Sequence, residues 1–436
     1  LNSWSAWKYL KLKKMLTDRR LRHRDFYVNA IMKGQWLSSQ EIEEIQWTKL
    51  KNLLHFAYHR TPYYKKIFAE YGLTLNSFSS ISDLKKLPLL TRKILQKEWI
   101  DLCCPDWRGK KYLNRSGGST GEPVNFYHDE IYENYAEASR KWTYALCGLK
   151  KGERRVKLWG NLRDSPDGTK VVKKGNLLFI NTFTLDNALL EEISKLLIEW
   201  KPLLIEGYVN SLYTLAQYLL EEEEVRIRPR AVQATAEVLF PSQRKVLERA
   251  FQAPVFDRYG SREVSIIGHE CERHSGLHIM GFNNIVEIMS DGGIVVTNLN
   301  NYVMPFIRYV VGDVVNSSTE ECRCGRGFPV IEGVQGRAND VIISPRGKRI
   351  WGYFGTLLYQ TPGVRKFQVV QESLENLTIR IVKGPDFIEE CVDKLREEIQ
   401  SNCDSSFRIH FEFPEEISPA SSGKVKFIIS HVKQGG

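Results

Sequence analysis

Three hydroxyl side chains and three glycines crowd into Arg115-Ser116-Gly117-Gly118-Ser119-Thr120-Gly121-Glu122-Pro123. Glycine lets the backbone approach a ligand closely and adopt positive φ, and successive bare N–H groups suit anionic oxygens. Residues 111–113 before it and 124–127 after it read as short strands. The stretch therefore reads as a loop that grips phosphate through Ser116, Gly117, Gly118, Ser119, Thr120 and Gly121. Two other readings compete. A glycine-serine hairpin turn needs no ligand at all. Gly117 to Gly121 also fits G-x-S-x-G, but a nucleophile elbow demands a helix directly after its serine, and here Pro123 and a strand follow. Neither G-x-x-x-x-G-K-[ST] nor G-x-G-x-x-G occurs in the chain, which excludes a Walker or Rossmann loop.

A second cluster has the chemistry of a metal site. Cys271-Glu272-Arg273-His274 and Cys322-Arg323-Cys324 supply four soft ligands, Cys271, His274, Cys322 and Cys324, enough to close a tetrahedral structural Zn²⁺ site. His278 competes for the fourth place, but the strand pattern Leu277-His278-Ile279 favours His274. The alternative is a set of reduced thiols that hold no metal.

The elements that must position these groups change character along the chain. Residues 1–100 look helical, with Leu50, Leu53, Leu54, Ala57 and Tyr58 at helical spacing until Thr61-Pro62 stops the helix. Residues 129–146 read as a helix. Strands at 156–159, 203–205, 231–234 and 255–257 then alternate with helices begun by Asp186, Asn210 and Ser242, the pattern of a parallel α/β sheet. Beyond Tyr259, close-spaced strands at 277–279, 284–289 and 293–298 suggest an antiparallel sheet or sub-barrel. From Arg337, strands at 341–343, 367–370, 377–381 and 407–413 with a helix at 387–399 make a small α+β module. The expected fold class is α/β: a large N-terminal domain with parallel and antiparallel sheets, followed by a small mobile module. Its parts would be a helical region 1–100, a core 101–336 and a lid 337–436.

Composition narrows the classes. The 436 residues are 42% hydrophobic and 11% aromatic, as in globular proteins, and carry a net charge of +10. That charge suits an anionic substrate. Much of it lies in the first 24 residues, where eight Lys and Arg face only Asp18. A basic, aromatic helix of this kind either lies on a membrane surface or packs its aromatics on the body. No apolar run is long enough to span a bilayer and no signal-peptide core is visible, so a cytoplasmic protein is expected. Eight cysteines are too sparse for a disulfide scaffold.

Five stretches, in order, resemble motifs of the acyl-adenylate-forming enzymes, most closely the phenylacetate–CoA ligase branch and its capsule-biosynthesis relatives. They are the loop 116–123; Tyr259-Gly260-Ser261-Arg262-Glu263, similar to Y-G-x-[ST]-E; Arg308-Tyr309-Val310-Val311-Gly312-Asp313, similar to R-Y-x-x-G-D; Gly336-Arg337-Ala338-Asn339-Asp340, similar to the hinge; and Ser421-Ser422-Gly423-Lys424. The resemblance implies that a carboxylate attacks the α-phosphate of ATP and expels pyrophosphate. Glu263 would bind Mg²⁺, and Tyr259, followed by Gly260 and Ser261, would stack on adenine. Asp313 would accept the ribose hydroxyls, and Lys424, carried by a lid hinged near Arg337 and Asp340, would bridge carboxylate and phosphate. By position between the motifs, Trp159, Gly160, Tyr208, Ala234, Thr235, Ala236 and Glu237 would line the acyl pocket. The chain departs from the family at Gly117, commonly serine, at Glu122, often lysine, and at Asn339, commonly acidic.

The expected activity is thus ATP-dependent activation of a carboxylic acid, with coenzyme A as acceptor. An amine acceptor, such as an amino sugar or amino acid, is the alternative. A catalytically silent nucleotide-binding homologue is a rival from another class. Nucleic-acid binding rests on net charge alone and is not expected. Peripheral membrane contact through the N-terminus and a homodimer stay open.

Overall fold

The computed structural model describes residues 6–17, 24–116, 124–159, 170–183, 185–222, 226–317, 322–338, 340–418 and 425–432. The chain forms two compact units, one of residues 1–150 and 256–333, the other of 151–255 and 334–436.

The first unit joins helices to an antiparallel sheet. Ser38 starts the long helix Ser39–Arg60 with a reciprocal capping box: its hydroxyl accepts the Glu41 N–H while Glu41 accepts the Ser38 N–H. Asp129 caps Glu130–Leu146 through the Tyr132 N–H, and the same carboxylate takes the N–H groups of Tyr302 and Val303. Trp142, Tyr135 and Ala138 on that helix pack against Tyr27, Ile31 and Ile45. The basic helix Ala6–Thr17 buries Leu12 and Leu16 in this core, while Tyr9 and Lys13 bond Glu44. Tyr9 is thus turned toward the helix Ser39–Arg60. The strands Asn284–Ile288, Gly293–Asn298, Tyr309–Ser317, Val330–Arg337, Leu277–Ile279, Ser265–Glu270 and Val255–Ser261 are neighbours in that order. A separate hairpin pairs Lys111–Arg115 with Asn125–Asp129.

In the second unit, Ala231–Thr235, Leu204–Tyr208, Arg155–Trp159 and Leu177–Asn181 run parallel, and Val171–Lys174 closes the edge antiparallel. Val156, Leu158, Ile180, Ile205, Val232 and Ala234 face the helices Asn187–Trp200, Val209–Glu221 and Pro241–Phe251. The C-terminal module orders its sheet as Arg408–Glu412, Asn376–Lys383, Val364–Gln371, Ile428–Ser430. Its Phe354, Leu358, Tyr359 and Phe367 share one apolar cluster with Tyr213 and Phe240. Residues 337–436, expected as a lid by themselves, pack here with 151–255.

Two local expectations shift. The helix expected at 387–399 is Cys391–Asn402. The helix expected to start at Asn210 is Val209–Glu221 with Tyr208 as its N-cap. Among the described residues no helix is long and apolar enough to cross a membrane.

Candidate nucleotide, acyl and metal sites

The loop residues Gly117, Gly118, Ser119, Thr120 and Gly121 lie outside the described residues, as do Gly160 and Lys424. The base of the loop is defined. Ser116 N–H donates to the Val124 carbonyl, and Ser116 Oγ accepts the Val124 N–H at 2.9 Å, so the chain leaves and returns at one point. A strand follows the loop, not the helix that a nucleophile elbow requires. Arg92, on the helix Arg92–Lys97, donates to Ser116 Oγ at 3.1 Å. Its place was not read from the sequence, because the only signal is an arginine following the helix cap Thr91, twenty-four residues before Ser116. Arg262 donates to the Arg115 carbonyl at 3.4 Å, which joins the hairpin to the Tyr259–Glu263 stretch.

Two motifs separated in sequence exchange tyrosine–carboxylate bonds. Tyr259 donates its hydroxyl to Asp313 Oδ2 at 2.7 Å, and Tyr309 donates to Glu263 Oε1 at 3.4 Å. All four side chains are buried. The Glu263 carbonyl lies 3.1 Å from Nε2 of His128, whose ring stacks on Tyr132. Gly260 has room for no side chain: a Cβ would meet the Ser265 carbonyl at 2.5 Å, where the pairing of the two strands slips. Gly312 adopts φ +85°, which glycine tolerates, inside the strand Tyr309–Ser317 where its pairing with Gly293–Asn298 shifts register, and Asp313 follows it. Ser261 Oγ accepts the Val264 N–H at 3.4 Å. Arg308 is part of the frame: it pairs with Glu287 at 3.1 Å and donates to the Lys85 and Leu87 carbonyls.

In the second unit, the rings of Trp159 and Tyr208 lie 4.6 Å apart at the carboxyl ends of neighbouring parallel strands, and Tyr208 is in register with Thr235. Lys157 Nζ sits 3.9 Å from the centre of the Trp159 ring. Ala234 points the other way, into the core beneath the helices, because strand residues alternate faces. It does not join the other three. Ala236 takes φ 72°, a left-handed conformation rare outside glycine, at the turn leaving its strand. Glu237 accepts from the backbone N–H of Asn210 at 2.9 Å and from its side-chain amide at 3.0 Å. Arg337 ends the strand Val330–Arg337, and its carbonyl accepts the Asp340 N–H.

The metal cluster forms with a different histidine. Ligand atoms of Cys271, His278, Cys322 and Cys324 all lie within 4.8 Å of one another. Cys271 and Cys322 sulfurs are 3.6 Å apart, and Cys324 Sγ is 3.3 Å from His278 Nε2. His274 instead turns Nδ1 to Glu270 at 3.1 Å and packs its ring on Phe256, from a residue with φ 51°. The strand Leu277–Ile279 misled the reading because it is buried on both faces, so His278 is inside as well. Backbone N–H groups of Arg273 and Arg326 each donate to a cysteine sulfur at 3.4 Å. Burial pushes the Cys271 thiol up to about 12. Burial also works on Cys324, but the Arg326 backbone N–H and side chain outweigh it and lower that thiol.

Residues 342–431 match the CapK C-terminal domain. Protein CapK of Staphylococcus aureus is 25% identical over 420 residues, 90% of each chain. Phenylacetate-coenzyme A ligase of Thermus thermophilus is 23% identical over 327 residues, 70% of this chain and 73% of that one. Over most of its length the chain is thus similar to CapK and to phenylacetate-coenzyme A ligases. Its fold is shared with 2-hydroxyisobutyryl-CoA ligase, solved in the postadenylation state with 2-HIB-AMP, at a TM-score of 0.72, 18% identity and 90% coverage of each chain.

Proposed function

We propose that this CapK-like chain is an AMP-forming acid ligase that activates a carboxylic acid with ATP and passes the acyl group to coenzyme A. The observation that carries the reading is the exchange Tyr259–Asp313 and Tyr309–Glu263, which brings two motif carboxylates into one buried, hydrogen-bonded arrangement. Asp313 is an acceptor suited to paired ribose hydroxyls, and Tyr259, bonded to it, would stack on adenine. Glu263 would hold Mg²⁺, which supplies charge neutralisation at the phosphates; the carboxylate and its Tyr309 partner fit such an ion. Ser116 and the loop 117–121 would hold the phosphates, with Arg92 as a cation at the base of the loop. Lys424 would reach the reacting carboxylate from a mobile C-terminal lid, hinged at Arg337 and Asp340. Trp159, Tyr208 and Thr235 would line the acyl side, at the strand ends where parallel sheets bind ligands.

The cluster Cys271, His278, Cys322 and Cys324 would hold a structural Zn²⁺. Four converging soft ligands and two N–H···S bonds fit that ion, since such bonds orient thiolates. A closed ligand set leaves no open position for catalysis.

Pyrophosphate release from ATP and Mg²⁺ across aryl, fatty, amino and sugar acids tests the activity. Release with one class of acid, lost in Lys424→Ala, is expected. ATP binding without release for any acid would favour the silent homologue. An acyl product formed with amines but not with coenzyme A would reassign the acceptor.

A further inference from the structure

The C-terminal module touches the acyl-side loops through one polar chain set in an apolar contact. Tyr359, on the helix Tyr353–Gln360, is buried among Tyr213, Phe240, Phe367 and Phe427. Its hydroxyl leaves this aromatic setting to donate to Asn210 Oδ1 at 3.2 Å. Asn210 in turn gives both its backbone N–H and its side-chain amide to the Glu237 carboxylate. The Tyr359 bond fixes which way the Asn210 amide faces: with Oδ1 occupied as acceptor, Nδ2 must point to Glu237. Asn210 directly follows the Tyr208–Val209 strand-to-helix junction, and Glu237 directly follows the left-handed Ala236. The chain therefore ties the first turn of the helix Val209–Glu221 to the turn that follows Ala231–Thr235, two segments at the carboxyl ends of neighbouring parallel strands.

The apolar surroundings make this contact specific. A Cβ on Gly355 would lie 2.0 Å from the Phe240 ring, so only glycine lets the module's helix seat this closely. Arg365 pairs with Glu221 at 2.6 Å at the far end of the helix Val209–Glu221.

We infer that Tyr359 is a positioning residue: while the C-terminal module is seated, its hydroxyl, through Asn210 and Glu237, holds the helix start at 209–212 and the turn at 235–239, the two segments (below, the two loops) that would shape the acyl side. The inference rests on the proposed acyl site only for its functional consequence, since the loop-holding itself needs no substrate. When the module leaves, the Asn210 amide loses its orienting donor and both loops loosen together. Coupling of acyl-site order to module position follows.

Amide hydrogen exchange on the full chain, without substrate, reads this out. In Tyr359→Phe the ring keeps its aromatic contacts, so a packing role would leave the loops unchanged. The expected result is exchange about 5-fold faster at residues 207–212 and 235–239, the fold-change of one lost hydrogen bond, with 364–383 unchanged. In an Asn210→Ala background, the same substitution should add nothing. Gly355→Ala, which unseats the helix, should loosen both loops and residues 353–360. Unchanged loop exchange in Tyr359→Phe, or full additivity with Asn210→Ala, would overturn the inference. Either outcome is independent of whether the protein adenylates any acid. A failure of adenylation would show separately, as wild-type protein that releases no pyrophosphate while its loops still respond.

Discussion

Tyr259 reaches Asp313 across 54 residues of chain, and Tyr309 reaches Glu263 across 46. Trp159, Tyr208 and Thr235, by contrast, meet because parallel strands in register end at the same level. The first unit is held around its candidate site by buried polar side chains. Asn298 donates to Asn284, Asn300 to Asn283, and Asn283 to Ser139. The second unit is held by aliphatic packing of three helices on a parallel sheet. A buried polar network specifies one arrangement and tolerates few exchanges, because each lost partner strands a desolvated group. An aliphatic core accepts many sequences of similar volume. The candidate site of the first unit is thus fixed residue by residue, while the strand ends of the second unit are freer to vary.

Metal removal gives the largest expected difference between the units. If Zn²⁺ ties Cys271 and His278 to Cys322 and Cys324, its loss should destabilise the first unit by about 5 kcal/mol or more. Purified protein should contain zinc by mass spectrometry, and Cys271→Ser should lower the thermal midpoint sharply. Amide protection of residues 364–383, in the second unit, should survive. His274→Ala should change zinc content little. A metal-free protein as stable as its zinc-loaded form would remove this contrast. Next in size, Asp313→Asn should reduce kcat/KM for ATP by about 10- to 100-fold, as expected for losing hydrogen bonds to a charged acceptor. The KM for the acid should stay close to wild type in pyrophosphate exchange. A matching rise in both KM values would mean the two sides are not separable.

The same contrast explains what could be read in advance. Tyr259, Glu263 and Asp313 stand out in the sequence through their motif spacing, and the structure joins their two motifs by tyrosine–carboxylate bonds. Alternating strands and helices and the caps Asp129 and Asp186 were legible too, since period and capping chemistry are local. Three features were not. His278 looked like the outward residue of a half-buried strand, but that strand lies between two others and is buried on both faces. Ala234 sits in a run of candidate pocket residues, yet pleating turns it to the helices. Asn210 has the type and position of a helix cap, whereas its amide serves Glu237, a partner 27 residues on. Each miss depended on which face or distant partner tertiary structure supplies.

A smaller effect is expected on the acyl side. Trp159→Ala removes the ring packed on Tyr208 and beneath Lys157. The KM for the acid should rise by about 10-fold, in the range of losing apolar pocket contacts. The KM for ATP should hold, the reverse of Asp313→Asn. If Trp159→Ala instead enlarged the range of acids accepted without weakening any, the ring would be a size filter and not a binding surface.

The smallest effect concerns the polar character of the first unit. Lys49 is buried in its helical core, donating to the Phe282 carbonyl at 2.7 Å with the Tyr135 ring 3.9 Å from its ammonium. Burial holds its amine well below the ordinary 10.5. The folded state then binds fewer protons than the unfolded chain at every pH between the depressed value and 10.5, so this group makes stability rise with pH across that window. Lys49→Met keeps the stem and removes the amine. The substitution should raise the thermal midpoint, by about 1 kcal/mol of stability or more, and by more at pH 6 than at pH 9 because the wild-type cost shrinks as the solution approaches the unfolded pKa. The Phe282 carbonyl loses its donor, which limits the gain. A lower midpoint for Lys49→Met at both pH values would show that the ammonium is retained, held by the carbonyl and the ring. The buried polar groups of the first unit would then include a charged one.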